Sequence, residues 1–130
     1  MQDIAQLLAI VERKYQFDQQ HKWGGAHRYL DDIKKEVDEV EEELPRERWC
    51  FLEDELADIL WNYLNAMNAL QHQNKITIES VFARAYRKYE QRVSAIEGDE
   101  SWQAVKQRQK QQLQQEFEKQ PTVVASQIRD

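Results

Sequence analysis

The stretch RWCFLEDELADILWNYLNAMNALQ, Arg48 to Gln71, decides the fold. It contains neither Gly nor Pro, and its apolar residues recur at spacings of three and four, the signature of a helix rather than a strand. At about 100° per residue, Leu52, Leu56, Ile59, Leu60, Tyr63, Leu64, Met67 and Leu70 cover most of the circumference. A helix so apolar must be covered on more than one side. The remaining polar residues fall in one narrow strip, Glu55, Asp58, Asn62 and Asn65.

Outward from this segment the pattern stays helical. Upstream, Pro45 closes a second helix running from about His27 to Leu44, with Ile33, Val37, Val40 and Leu44 as its apolar stripe. Before it, Ile4, Leu7, Leu8, Val11 and Tyr15 mark a first helix over about Asp3 to Gln19, ended by the loop around Trp23-Gly24-Gly25. Downstream, Thr77 is placed to cap a fourth helix reaching Ile96, with Val81, Phe82, Ala85, Tyr89 and Val93 as its stripe. Gly98-Asp99 breaks it, and Ser101 opens a Gln-rich fifth helix with only Trp102, Val105, Leu113 and Phe117 as apolar contacts. The fold class is all-α, a helical bundle. The 130 residues hold only 3 Gly and 2 Pro, and good helix formers dominate.

Two polar rows need an explanation. Carboxylates beside so much apolar surface are costly unless something neutralises them. Asp32, Glu36, Glu39 and Glu43 line one edge of the second helix. Alone, that run reads as a solvated acidic face. If it faces Glu55 and Asp58 across an interhelical distance of roughly 8–10 Å, the oxygens converge into a hard-cation site suited to Mg²⁺. Lys88 and Arg92 sit one turn apart on the fourth helix, with Arg84 further back. They fit phosphate oxygens, or simply answer nearby acids. Asn62 and Asn65 fit either a sugar contact or a helix–helix hydrogen bond.

Composition excludes several classes. The net charge of −6 repels the phosphates of nucleic-acid polymers. One cysteine, Cys50, makes no internal disulfide framework or zinc thiolate cluster. A carboxylate di-iron site needs Glu-x-x-His, and only Asp18 stands three residues before a histidine, His21. The opening residues carry no signal-peptide or membrane-anchor pattern, so a cytoplasmic setting without membrane contact is expected.

Glu36-Val-Asp-Glu39 followed by Glu55-Leu-Ala-Asp58 resembles the ExxE…ExxD signature of MazG-type nucleoside triphosphate pyrophosphohydrolases. Leu7 to Ile10 with Trp23, the run Glu55 to Trp61, the helix bearing Lys88 and Arg92, and Trp102 to Lys106 resemble further segments of that family, in order. The likeness spans about residues 4–107. It implies a MazG-like bundle over residues 1–120, completed as a homodimer or dimer of dimers, with 121–130 as a tail. It implies Mg²⁺, with Mn²⁺ as the alternative, held by Glu36, Glu39, Glu55 and Asp58 as the metal and catalytic set. The expected reaction is hydrolysis of a nucleoside triphosphate to monophosphate and pyrophosphate, with a role in cleansing the nucleotide pool. Lys88 and Arg92 are then expected on the outer phosphates, Trp23 or Tyr86 on the base, and Asn62 and Asn65 near the sugar. Two other classes fit the same residues: a pyrophosphohydrolase acting on a phosphoribosyl nucleotide, and a non-enzymatic helical dimer whose acidic groove binds nucleotide or protein.

Overall fold

A computed structural model describes residues 1–22 and 25–121. The elements are α1 (Gln2–His21), α2 (Ala26–Glu43), a 3₁₀ turn (Leu44–Arg46), α3 (Trp49–His72), α4 (Ile78–Glu97) and α5 (Trp102–Glu118). No strand occurs among the described residues. Each helix lies within a few residues of the span expected from the sequence. The expected tail lies, from residue 122 on, outside the described residues.

Local chemistry sets the boundaries. Gly25, at φ 110, precedes α2 in a conformation that side chains rarely adopt. The Thr77 hydroxyl accepts from the Ser80 amide at 2.9 Å, and Ser80 Oγ accepts from the Thr77 amide at 3.2 Å, a reciprocal cap on α4. Ser101 caps α5 by accepting from the Ala104 amide at 3.1 Å.

The chain divides into two compact units, Met1–Val81 and Phe82–Asp130. In the first, α2 and α3 form a hairpin that places Glu43 beside Arg48 at its turn. Helix α1 packs on α3 around Val11, Leu64 and Met67, with Leu7, Leu8, Trp61, Ile76, Ile78 and Val81 against them. Polar contacts fix the same pair: Asn68 Nδ2 donates to Glu12 Oε1 at 3.2 Å, His72 contacts Glu12 Oε2 at 2.9 Å, and Tyr15 stacks on His72 at 3.8 Å. The apolar helix is therefore covered unevenly. Its second half is buried from Leu64 to Ala69, whereas Phe51, Leu56, Leu60 and Tyr63 are exposed.

In the second unit, the α4 stripe departs from expectation. Phe82, Tyr89 and Val93 are exposed, because α5 packs only sparsely on α4. Their polar contacts run from Arg84 with Glu116, at 2.9 Å, to half-buried Arg92, which bonds Gln109 at 2.7 Å and lies beside the Trp102 ring. Val105 is fully buried, but Leu113 and Phe117, lower on the expected stripe, are exposed. Between the helices lies a groove of about 730 Å³, lined by Arg84, Arg87, Lys88, Arg92, Lys106 and Lys110 with Glu116 as its one acid.

Candidate metal centre and phosphate-binding residues

Hairpin geometry brings the two acidic rows together. Glu36 and Glu39 share one face of α2 because they lie three residues apart, and that face meets Glu55 of α3. One oxygen from each of the three carboxylates lies within 4.8 Å of the others. Asp58, one turn beyond Glu55, stands outside that trio, although Glu39's charge acts on it.

Electrostatics show what this crowding does. Burial, followed by hydrogen bonding to Glu39 and Glu55 and by the charges of Glu39 and Asp58, pushes the Glu36 carboxyl up to about 7. Glu55 is raised as well, first by hydrogen bonding to Glu39 and then by burial. Asp58 is raised by burial and by the charges of Asp54 and Glu39. Acids held this way take up either a proton or a cation. Glu36 Oε2 and Glu55 Oε2 are buried without any hydrogen-bond partner. An unpaired buried carboxylate oxygen is costly, and a divalent cation held by the cluster would offset that cost. An all-oxygen, all-anionic donor set suits a hard ion such as Mg²⁺.

The rows do not act as a whole. Glu43, the fourth acid of the α2 row, is buried at the hairpin turn, where it accepts from Arg48 Nε at 3.0 Å. Arg48 holds its carboxyl below the usual carboxylate range. Glu43 belongs to the turn. On α3, Asn62 and Asn65 are buried, and Asn65 Nδ2 donates to the Trp61 carbonyl at 2.8 Å, a bond within the helix rather than between helices. Asn65 also lines a cavity of about 180 Å³ with Tyr15, Asp18, Tyr29 and Gln73. There Tyr29 donates to Asp18 Oδ2 at 2.6 Å, and Lys14 donates to the Tyr29 oxygen at 3.1 Å. The sequence reading missed this trio. Lys14 and Asp18 are four apart on α1, a detectable pairing, but nothing local places Tyr29.

On α4, Lys88 is exposed and Arg92 half-buried, and both line the α4–α5 groove. The Arg92 guanidinium lies 5.2 Å from the Tyr89 ring and 5.3 Å from the Trp102 ring. Tyr86 is 71% exposed, so its ring is not part of a core. Trp23, expected at the base, lies outside the described residues.

The fold and the cluster define a class: an all-α protein with a group of carboxylates able to hold a divalent cation. The chain belongs to the MazG nucleotide pyrophosphohydrolase domain family, whose model matches residues 25–96. Comparison with curated proteins and with solved structures gives no match. Membership makes the chain a nucleotide pyrophosphohydrolase in general terms, of a divalent-metal-dependent kind. No described helix is long and apolar enough to cross a membrane.

Proposed function

We propose that this protein hydrolyses nucleoside triphosphates to monophosphate and pyrophosphate with Mg²⁺, cleansing the nucleotide pool of a cytoplasmic compartment. The observation that carries the proposal is the pair of unpartnered buried oxygens, Glu36 Oε2 and Glu55 Oε2, within a three-carboxylate cluster. Glu36, Glu39, Glu55 and Asp58 hold the metal, and Mn²⁺ is the expected substitute. When bound, the metal neutralises phosphate charge and lowers the pKa of attacking water. Glu39, the exposed member of the trio, accepts the water proton. Lys88 and Arg92 bind the outer phosphates through charge-assisted hydrogen bonds. Asn62 and Asn65 orient the sugar side, and Trp23 or Tyr86 stacks on the base.

A homodimer is part of the proposal. Phe51, Leu56, Leu60 and Tyr63 on α3 are exposed, as are Phe82, Tyr86, Tyr89, Val93 and Ile96 on α4. Large apolar side chains left exposed along one helix in this number are normally covered by a partner. A panel of canonical, damaged and phosphoribosyl nucleotides, assayed with Mg²⁺, tests the reading. Turnover of at least one triphosphate supports it. Turnover of the phosphoribosyl nucleotide alone overturns the substrate class, and tight binding without turnover overturns the enzyme.

A further inference from the structure

The Gln-rich helix α5 acquires a task from its contact with α4. Between Lys106 and Glu118, Gln109 is the one residue that is not exposed. It falls four residues after Val105 and seven after Trp102, on the same face, so it docks where the apolar stripe meets α4. Gln109 Oε1 accepts from Arg92 Nε at 2.7 Å. Its Nε2 donates to the Lys88 carbonyl at 2.8 Å and to Gln91 Oε1 at 3.0 Å. One carboxamide thus holds the side chain of Arg92 and the backbone one turn before it.

We infer that Gln109 is a positioning residue: it orients the Arg92 guanidinium so that its terminal edge meets a phosphate oxygen of the substrate. The inference rests on the proposed role of Arg92 in phosphate binding. With Nε bonded to Gln109 and the rings of Tyr89 and Trp102 beside the guanidinium, the side chain is fixed on several sides. The two Nη groups have no acceptor among the described residues. They form the paired edge that recognises phosphate. The identity of residue 109 matters as well. A neutral carboxamide orients the guanidinium without consuming its charge. Arg84 shows the opposite case two turns away, where Glu116 pairs with it at 2.9 Å. Of these two arginines, Arg92 keeps its charge for an anion in the groove.

The test uses the full chain, binding of inorganic tripolyphosphate in Mg²⁺, and steady-state kinetics with a nucleoside triphosphate. Gln109→Ala should weaken tripolyphosphate binding about threefold to tenfold, the range for releasing one immobilised long side chain. It should raise KM by a similar factor and leave kcat within about twofold. In an Arg92→Ala background, or Arg92→Lys if the alanine variant does not fold, the same change should have no further effect. Gln109→Glu pairs its charge with Arg92 and loses the bonds donated to Lys88 and Gln91, so it should weaken tripolyphosphate binding more than Gln109→Ala does. Loss of affinity from Gln109→Ala that persists without the Arg92 guanidinium, or wild-type binding by Gln109→Glu, would overturn the inference. Arg92→Ala weakened while Gln109→Ala is silent would overturn it alone. Wild-type binding by Arg92→Ala would instead remove the phosphate role of Arg92.

Discussion

Replacing Glu36 by Gln keeps the shape of the side chain and removes one charge from the acidic cluster. The wild-type carboxyl is raised from 4.5 to about 7, chiefly by burial and then by its carboxylate neighbours. At about 1.4 kcal/mol per unit, that displacement corresponds to about 3 kcal/mol of opposition to the ionised form. Water at the open side of the groove screens part of it, leaving about 1–2 kcal/mol. Because the folded value lies above the ordinary one, protonation favours the folded state. This contribution is fully present below about 4.5 and is lost as pH rises through about 7. Glu55 and Asp58 are shifted in the same direction.

The metal-free Gln variant should therefore melt about 3–10 °C above the wild type at pH 8, taking about 3–5 °C per kcal/mol for a chain of this size. At pH 4 the difference should nearly vanish, since Glu36 is then protonated in the unfolded chain as well as in the wild-type fold. Added Mg²⁺ should stabilise the wild type by about 2.7 kcal/mol at a hundredfold excess over Kd, and the variant by less. Melting curves in chelator and in Mg²⁺, at both pH values, give all four numbers. An apo midpoint that falls at pH 8, or a gain equal at both pH values, would refute the electrostatic reasoning.

Alanine at Glu36, Glu39, Glu55 or Asp58 should lower turnover by at least about 100-fold with helicity retained, while Glu41→Ala and Glu42→Ala stay near wild type; circular dichroism and initial rates check this. Equal losses in both sets would mean that the carboxylate assignment is wrong. Lys88→Ala should weaken triphosphate binding more than monophosphate binding, read by calorimetry, because only the triphosphate carries outer phosphates. Arg48→Ala should lower the thermal midpoint near neutral pH by leaving buried Glu43 with only Arg46, 3.7 Å away, as a cationic partner. The Arg48-dependent increment should disappear as pH falls through the lowered Glu43 value, where its carboxyl is protonated. Persistence of the increment in acid would contradict the ion pair.

The helices were legible because their signals are local. The stripe of α3, the Thr77 and Ser101 caps and the Gly25 break each depend on residues within a turn or two. The approach of Glu36, Glu39 and Glu55 was legible for a related reason: a short connection forces α2 and α3 into a hairpin, so rows at helical spacing must meet. Connection geometry was not legible. Leu44–Arg46 forms a 3₁₀ turn and Glu47 takes φ 55, which swings Arg48 onto Glu43 and withdraws that acid from the row. Burial along α4 misled, since periodicity reports which face is apolar and not whether this chain covers it. Gln109 lay in plain view on the α5 stripe, but a polar residue on an apolar line names no partner.

The most direct test of the central claim follows oxygen from labelled water into the products of a triphosphate hydrolysed with Mg²⁺. Attack at the α-phosphorus predicts monophosphate and pyrophosphate as the primary products, with the label in the monophosphate alone. Label in pyrophosphate, or diphosphate and orthophosphate as the primary products, would contradict the account.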